Sequence, residues 1–253
     1  MISVVLLGAG HVATHLFKAF YASEGVEIKQ WYNRSLKTID EYKNRVKVTD
    51  NLLTLVEADI YILAVSDDAI EALSKQLPFK NRLVIHTSGS TSLYAVDMQQ
   101  KRGVFYPLQT FSKAADLGFA NVPICIEALK KTDLPILKQL AEAIGSKSHK
   151  VNSDQRQALH LAAVFVNNFT NQLYRMAHEI TEMSGAEFDI LKPLIKETAN
   201  KVEYLSPYLA QTGPALRNDK KTIKRHLKQL ESEQHKAVYE LLTKSIKKTH
   251  GIR

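Results

Sequence analysis

Residues 1–13, which read MISVVLLGAGHVA, constrain the fold more than any other stretch because an apolar run meets closely spaced glycines. The run from Ile2 to Leu7 is rich in β-branched residues and predicts a strand buried on both faces of a parallel sheet. Gly8, Gly10 and Ala13 follow in the G-x-G-x-x-G/A order that leads such a strand directly into a helix. Gly8 permits a tight turn, Gly10 lets the backbone approach a pyrophosphate, and Ala13 lets the helix pack against its strand.

This pattern predicts a dinucleotide site of the Rossmann type. The helix from about Val12 to Tyr21 directs its unpaired N–H groups and the positive end of its dipole toward a phosphate. A glycine turn that binds nothing is the alternative, which the preceding buried strand and the following second strand disfavour. The predicted cofactor contacts in this segment are Gly8, Ala9, Gly10, His11 and Val12.

The end of the second strand predicts which dinucleotide binds. Val26–Tyr32 alternates like a strand and ends in Asn33-Arg34-Ser35. A site that prefers NAD has Asp or Glu near this strand end to bind the ribose 2′-hydroxyl, and this segment has neither. A guanidinium, an amide and a hydroxyl suit a 2′-phosphate instead, so we predict NADP(H) as the cofactor. The alternative is an exposed turn whose arginine faces water.

Strands and helices continue to alternate up to residue 151, which predicts an α/β domain with a mostly parallel sheet. The ends of two predicted strands, Val65-Ser66 and Ser88-Gly89, edge the cofactor crevice, and the second is expected near the nicotinamide. Ser92 is alternatively the cap of a helix over residues 93–100. Further strands are predicted at residues 46–48, 59–65, 83–87, 104–111, 122–126 and 148–151, and helices at 36–44, 54–58, 69–76 and 134–144.

From Ser153 onward the pattern is helical, so the predicted domains are 1–152, which binds NADP, and 153–253, which is all-α. Ser153 is the expected N-cap of a long helix that reaches about Met183. The segment Ala158–Phe169 is apolar almost all round, which predicts burial within the domain or against a second subunit. A homodimer through the helical domain is therefore expected.

Polar side chains interrupt this apolar segment. At 100° per residue, His160 and Asn167 share one stripe with Asn171 and His178, and Asn168 lies close to it. Other protein groups could satisfy such a stripe, but several members together, in a protein with a hydride carrier, favour a substrate cleft. Further on, the rigid turn Thr212-Gly213-Pro214 precedes Arg217, whose guanidinium could clamp a substrate carboxylate.

Composition excludes several classes of protein. The net charge of +8 fits an anionic small-molecule substrate. The basic residues of the last forty or so positions lie on outer helix faces without aromatic interleaving, which disfavours nucleic acid as a partner. No apolar stretch is long enough for a bilayer, and no signal-peptide pattern is present, so a cytoplasmic protein is expected. The single Cys125 excludes an intramolecular disulfide, and no metal site is predicted.

The sequence resembles the Rossmann-like proteins with a DUF2520 C-terminal domain, which are described as NADP- or F420-dependent oxidoreductases. The resemblance rests on the following segments: Gly8-Ala9-Gly10 with Ala13, His86-Thr87-Ser88-Gly89-Ser90, His160 with Asn168-Phe169, and Thr212-Gly213-Pro214 with Arg217, Asp219, Thr222 and His226. Two departures are Tyr106-Pro107, where the family usually has His-Pro, and Asn218 in its Arg-Gly-Asp. A role carried by that first histidine therefore does not transfer to this chain.

More distantly, the layout resembles pyrroline-5-carboxylate reductase, ketopantoate reductase and the β-hydroxyacid dehydrogenases. These relatives imply hydride transfer to a carbonyl or imine carbon. We therefore expect reduction of a small carbonyl or imine acid, such as a 2-oxo acid like ketopantoate. His160 is the expected proton donor, and Asn167 and Asn168 orient the reacting group. The alternative is a sensor or assembly protein that binds NADP(H) without turnover, and F420 is a further possible carrier.

Overall fold

The computed structural model describes residues 1–112 and 118–252. It consists of two compact units, Met1–Asn167 and Asn168–Arg253. The first unit therefore extends past the boundary predicted near Asn152. Its extension is the beginning of the long helix, whose residues bond to the sheet.

The residues described in the first unit form one eight-stranded sheet in the order β3-β2-β1-β4-β5-β6-β7-β8. Neighbouring strands are parallel except β6 and β7, which are antiparallel. This confirms the predicted Rossmann-type, mostly parallel sheet. The strands are Ile2–Leu7 (β1), Val26–Tyr32 (β2), Val48–Thr49 (β3), Ile60–Leu63 (β4), Leu83–His86 (β5), Lys101–Pro107 (β6), Ile124–Ala128 (β7) and Ser148–Lys150 (β8).

Strand β1 is the centre of the core because it is buried on both faces. Val4 and Leu6 contribute to one apolar cluster, and Val5 and Leu7 to the cluster on the opposite face. All four are 0% exposed. Burial of such side chains stabilises the fold by about 1.5–3 kcal/mol each. The turn after the carboxyl end of β1 is therefore attached to a strand that is buried on both faces of the sheet.

The helices of the first unit cover the sheet, and the two that follow the parallel strands β1 and β4 have their N-termini at its carboxyl edge. Helix α1 (His11–Tyr21) follows β1, and α2 (Asp67–Lys75) follows β4. Helix α3 (Leu134–Ala143) lies between β7 and β8, and α4 (Ser153–Ala163) follows β8. The strand order reverses beside β1, which is where a sheet of this type opens a ligand crevice.

Three predicted helices of the first unit are wrong. Residues 36–44 form two short 3₁₀ turns, Leu36–Thr38 and Asp40–Tyr42, because Ile39 between them leaves the helical conformation at φ −121° and ψ 6° to bury its side chain. Residues 93–100 contain only the turn Leu93–Ala95, although Ser92 caps it as predicted by accepting a hydrogen bond from Tyr94 N. In place of the turn predicted at 54–58, the chain has Leu52–Thr54, which the side chain of Asn51 caps.

The long helix begins one residue earlier than predicted and is irregular in its middle. Its N-cap is Asn152, whose side chain accepts from Gln155 N while the Gln155 side chain bonds back, so Ser153 is not the cap. Ser153 instead donates its hydroxyl hydrogen to Glu127. After α4, residues Val164–Phe169 form a π-helical segment that leads into α5 (Thr170–Met183).

The second unit is helical, as predicted. Asp219 caps the helix that begins at Lys220 by accepting a hydrogen bond from Thr222 N at 3.0 Å. The helices after α5 are α6 (Lys192–Tyr204), α7 (Pro207–Ala210), α8 (Lys220–Gln229) and α9 (Glu233–Thr249). Across residues 1–112 and 118–252, no helix is both long enough and apolar enough to cross a bilayer.

Candidate functional site

The turn after β1 has the geometry that a pyrophosphate requires. Gly8 has φ +111°, and a Cβ there would lie 2.2 Å from the carbonyl oxygen of Ala64 and 2.8 Å from Cγ1 of Val65. Only glycine fits this position, because a side chain would collide with the end of β4. A Cβ on Gly10 would meet nothing within 4 Å, so this backbone is open to a ligand.

Trp31 supports the same turn from beneath, a role that the sequence reasoning missed. Its indole Nε1 donates to the carbonyl oxygen of Gly8 at 2.6 Å, and both groups are buried. The indole stacks on Phe17 of α1 with ring centroids 4.5 Å apart. One side chain thereby links β2, the turn and the helix that follows it.

The N-terminus of α1 carries no side-chain cap that would compete with an anion. Its N-cap is Gly10, and its first turn contains no acidic residue. His11 is exposed, and its Nδ1 lies 3.0 Å from the carbonyl oxygen of Phe111. Ala9 and Val12 are half-buried beside the turn. These residues fit a dinucleotide phosphate held by backbone N–H groups and the helix dipole.

The segment after β2 presents an exposed cation. Arg34 and Ser35 are exposed, and the amide of Asn33 donates to Ser35 O at 3.0 Å, which shapes the turn. The sequence reasoning missed Asp50, which follows β3 directly and whose charge acts on the hydroxyl of Tyr32. Burial raises the pKa of Tyr32, Arg34 opposes this rise and Asp50 adds to it. The charges of Arg34 and Asp50 thus both act on the hydroxyl of Tyr32.

The ends of β4 and β5 are joined by polar side chains. Ser66 is the N-cap residue of α2, and the next residue, Asp67, accepts a short hydrogen bond from the hydroxyl of Ser90. Partial burial acts to raise the pKa of Asp67, but hydroxyl hydrogen bonds from Ser90, Ser88 and Thr91 hold it below its ordinary value. Asp67 therefore stays ionised and fixes the loop after β5 against α2.

His86 ends β5 as a fully buried, neutral imidazole. Its Nδ1 accepts a hydrogen bond from Ser88 N at 3.2 Å, and its side chain is 0% exposed. Burial lowers the pKa of His86 to about 4, and the nearby charge of Arg156 acts in the same direction. His86 therefore shapes the loop rather than exchanging protons near neutral pH.

Arg156 joins the long helix to the same loop. It is 0% exposed, and its Nη1 donates to the carbonyl oxygens of Ser88 at 3.1 Å and Gly89 at 2.9 Å. Its Nε lies 3.3 Å from Glu127 Oε2 on β7. A buried guanidinium with a carboxylate and two carbonyl partners holds loop, strand and helix in one arrangement.

The contact between His160 and Gly89 brings two separately predicted site residues together. One turn after Arg156, His160 lies half-buried, and its Nδ1 is 3.1 Å from the hydroxyl of Tyr106 at the end of β6. A Cβ on Gly89 would lie 2.7 Å from His160 Nδ1 and 2.7 Å from Tyr106 Cζ. The imidazole is therefore in contact with the backbone of the loop expected near the nicotinamide.

The other predicted substrate groups are Asn167, Asn168 and Arg217. Asn167 ends the first unit, and Asn168 and Arg217 belong to the second. All three are exposed, so burial of the polar stripe within its own chain is not confirmed. The π-helical segment Val164–Phe169 interrupts the regular 100° per residue from which the stripe was predicted, since i→i+5 hydrogen bonds add a residue to the turn.

Two family models match the chain. "Domain of unknown function (DUF2520)" matches residues 122–246, and "NADP oxidoreductase coenzyme F420-dependent" matches residues 3–89. A solved structure from Bacteroides fragilis, described as a "putative NADP oxidoreductase", is 38% identical over 98% of each chain with a TM-score of 0.85. The chain belongs to this NADP oxidoreductase family. No curated protein matches it.

More distant structures share the fold of this oxidoreductase. An imine reductase from Myxococcus stipitatus in complex with NAD⁺ is 18% identical over 98% of this chain and 93% of its own, with a TM-score of 0.72. The 1-pyrroline-5-carboxylate reductase of Streptococcus pyogenes is 12% identical over 99% of each chain, with a TM-score of 0.67.

Within residues 1–112 and 118–252, no group of three or more His, Cys, Asp or Glu side chains could hold a metal ion. Besides Trp31 and Asp50, sequence reasoning assigned no role in the candidate site of this oxidoreductase to Arg156 and Tyr106. Arg156 precedes His160 by four residues and so lies on the same helix face, which was an available signal. The available signal for Tyr106 was its position, because it stands where the family usually has histidine.

Proposed function

We propose that this oxidoreductase is a cytoplasmic, NADPH-dependent reductase of a small carbonyl or imine acid. The observation that carries the proposal is the contact of His160 with the Ser88-Gly89 loop. This loop follows β5 at the same sheet edge as the glycine turn after β1, because β1, β4 and β5 are parallel neighbours. His160 thus lies at the edge of the sheet where a fold of this type binds a dinucleotide, which supports its assignment as the proton donor.

The bound cofactor would supply a hydride to the carbon of the carbonyl or imine group. The chain's own part is to hold phosphates at the turn around Gly8 and Gly10, to orient the substrate, and to give a proton to its oxygen or nitrogen. We assign the proton to His160. Asn167 and Asn168 remain proposed orienting groups, and Arg217 remains the proposed partner of a substrate carboxylate.

The first experiment follows NADPH absorbance with a panel of 2-oxo acids, ketopantoate included, and cyclic imines. We expect turnover on one class, and a His160→Ala variant with kcat lower by about 100-fold, the lower range for loss of a positioned general acid. NADPH binding without turnover on any panel member, with His160→Ala unchanged in every property, would favour the sensor alternative. Turnover with a reduced deazaflavin but not with NADPH would identify F420 as the hydride carrier.

The second experiment tests the cofactor preference. Arg34→Glu should weaken NADPH binding at least tenfold and NADH binding much less, because a charge-assisted hydrogen bond to the 2′-phosphate contributes about 1.5–3 kcal/mol. Lys147→Glu is the matched control, since Lys147 is exposed, precedes β8 and gives the same change in charge. Equal NADPH affinity for Arg34→Glu and the control would show that Arg34 does not bind the 2′-phosphate.

A homodimer through the helical unit is part of the same proposal. Among the described residues of the second unit, Met176 and Ala215 are the only buried apolar ones, whereas Ile190 is 72% and Leu194 62% exposed. An apolar surface of this extent favours a second copy. Light scattering should give twice the chain mass of 28.5 kDa, and Leu194→Glu should lower it toward one chain. A monomeric wild type would refute this part.

A further inference from the structure

The hydroxyl of Tyr106 faces one ring nitrogen of His160. Tyr106 Oη lies 3.1 Å from His160 Nδ1, and the two rings meet edge to face at 72° with centroids 5.9 Å apart. Tyr106 is only 9% exposed. The imidazole therefore has one nitrogen against a buried phenol, and Nε2 is the nitrogen on the opposite side of the ring.

The phenol keeps its proton at neutral pH. Burial raises the pKa of Tyr106 to about 12, Cys125 acts in the same direction and Arg156 opposes it. At pH 7, roughly one molecule in 10⁵ would carry the phenolate form. A protonated phenol can donate to Nδ1 of a neutral imidazole, which then holds its own hydrogen on Nε2.

The other charged and titratable groups around this pair have different partners. Arg156, on the same helix, is bonded to Glu127 and to two carbonyls. Asp67, at the start of α2, acts on Tyr106 through its charge but is hydrogen-bonded by loop hydroxyls. Among the titratable groups of the described residues, Tyr106 is thus the hydrogen-bond partner of the His160 ring.

We propose that Tyr106 is a positioning residue that occupies Nδ1 of His160 and leaves Nε2 as the nitrogen that gives its proton to the substrate. In the neutral ring, Oη donates to Nδ1. In the cation, Nδ1–H donates to Oη, and the Nε2 proton passes to the oxygen or nitrogen of the substrate. The ring that remains carries its hydrogen on Nδ1, and exchange of protons with solvent returns it to the form with hydrogen on Nε2. A hydroxyl can serve as both acceptor and donor, which a phenyl ring cannot. This inference rests on the proposed function, because it names the proton-donating atom of the same histidine.

The test measures the tautomer of His160 directly, by ¹⁵N NMR of protein labelled in its histidine rings and assigned with His160→Gln. At pH 8.5, wild-type His160 should show hydrogen on Nε2, and Tyr106→Phe should show a mixture of the two tautomers. Tyr61→Phe is the matched control, because Tyr61 is also buried and its hydroxyl bonds to Val56 O and Ala58 N outside the site. It should leave the His160 spectrum unchanged.

Kinetics provide the second readout. Tyr106→Phe should lower kcat about tenfold while KM and the Kd for NADPH stay within twofold, and Tyr61→Phe should leave all three within twofold. Hydrogen on Nδ1 in the wild type, or a tautomer that is the same in Tyr106→Phe, would overturn the proposal. If Tyr106→Phe fails to fold, the wild-type spectrum still tests the proposal, because hydrogen on Nδ1 would overturn it. Since NMR needs no turnover, an inactive protein with Nε2–H would refute the proposed reaction but not the assignment of the tautomer.

Discussion

The buried neutral imidazole of His86 should make the fold sensitive to mild acid. Its pKa is lowered to about 4 from 6.5, so between these values the unfolded chain binds a proton that the folded chain does not. Stability from this group is complete above pH 6.5 and is lost as the pH falls toward 4. At 1.36 kcal/mol per pKa unit, the loss is about 2 kcal/mol between pH 7 and pH 5 and about 3 kcal/mol by pH 4.

The assay is urea unfolding at fixed protein concentration from pH 7 to pH 5, for the wild type and for His86→Asn. The asparagine Oδ1 can replace Nδ1 as the acceptor of the bond from Ser88 N, and it does not titrate. Carboxyl groups with ordinary pKa values contribute little above pH 5, and the other histidines cancel in the difference between the two proteins. The wild type should therefore lose about 2 kcal/mol more than the variant.

A wild type and a variant with parallel pH profiles would refute this reasoning. That result would mean that His86 takes up a proton in the folded protein as readily as in the unfolded chain. A variant that is merely less stable by the same amount at every pH would show the same thing, since only the pH-dependent part reports the buried imidazole.

Three further substitutions test the architecture of the site. Gly89→Ala should cost about 1–3 kcal/mol of stability, measured by urea unfolding, since its Cβ would lie 2.7 Å from two rings; an unchanged midpoint would contradict the packing. Trp31→Phe leaves the buried carbonyl of Gly8 without its donor, which should cost about 1–3 kcal/mol and weaken NADPH binding in calorimetry. Arg156→Met should cost about 3–5 kcal/mol because Glu127 keeps a buried charge, and Glu127→Gln in the same chain should restore part of it; a strictly additive pair would disprove the coupling.

The sequence predicted the sheet well because its strands have strong local signals. The bounds predicted for β2 match those observed, and the glycine turn after β1 has the positive φ that its spacing required. The helix predicted at 36–44 failed because Ile39 follows tertiary burial rather than helix periodicity. Local sequence patterns do not reveal which side chain will be buried in the core.

The site was predicted in pieces but not as an assembly. His160 and Gly89 were each singled out, whereas their contact depends on where α4 begins and on how it crosses β6 and β7. Arg156 and Tyr106 form bonds across 67 and 54 positions of the chain, which no local pattern encodes. The π-helical pairing between Val164 and Phe169 is a local irregularity that a uniform 100° wheel cannot represent, so the sequence did not reveal how the polar stripe is oriented beyond His160.

The number of helical residues between Asn152 and His160 determines where the imidazole lies relative to the sheet. From the cap at Asn152, contacts advance from Glu127 on β7 to the end of β6 at Tyr106, so His160 reaches the carboxyl edge after eight residues, or about 12 Å of helix. One residue added or removed within this span would rotate the imidazole by about 100° and shift it by about 1.5 Å. Changes of chain length that leave the reaction intact must therefore fall outside residues 152–160.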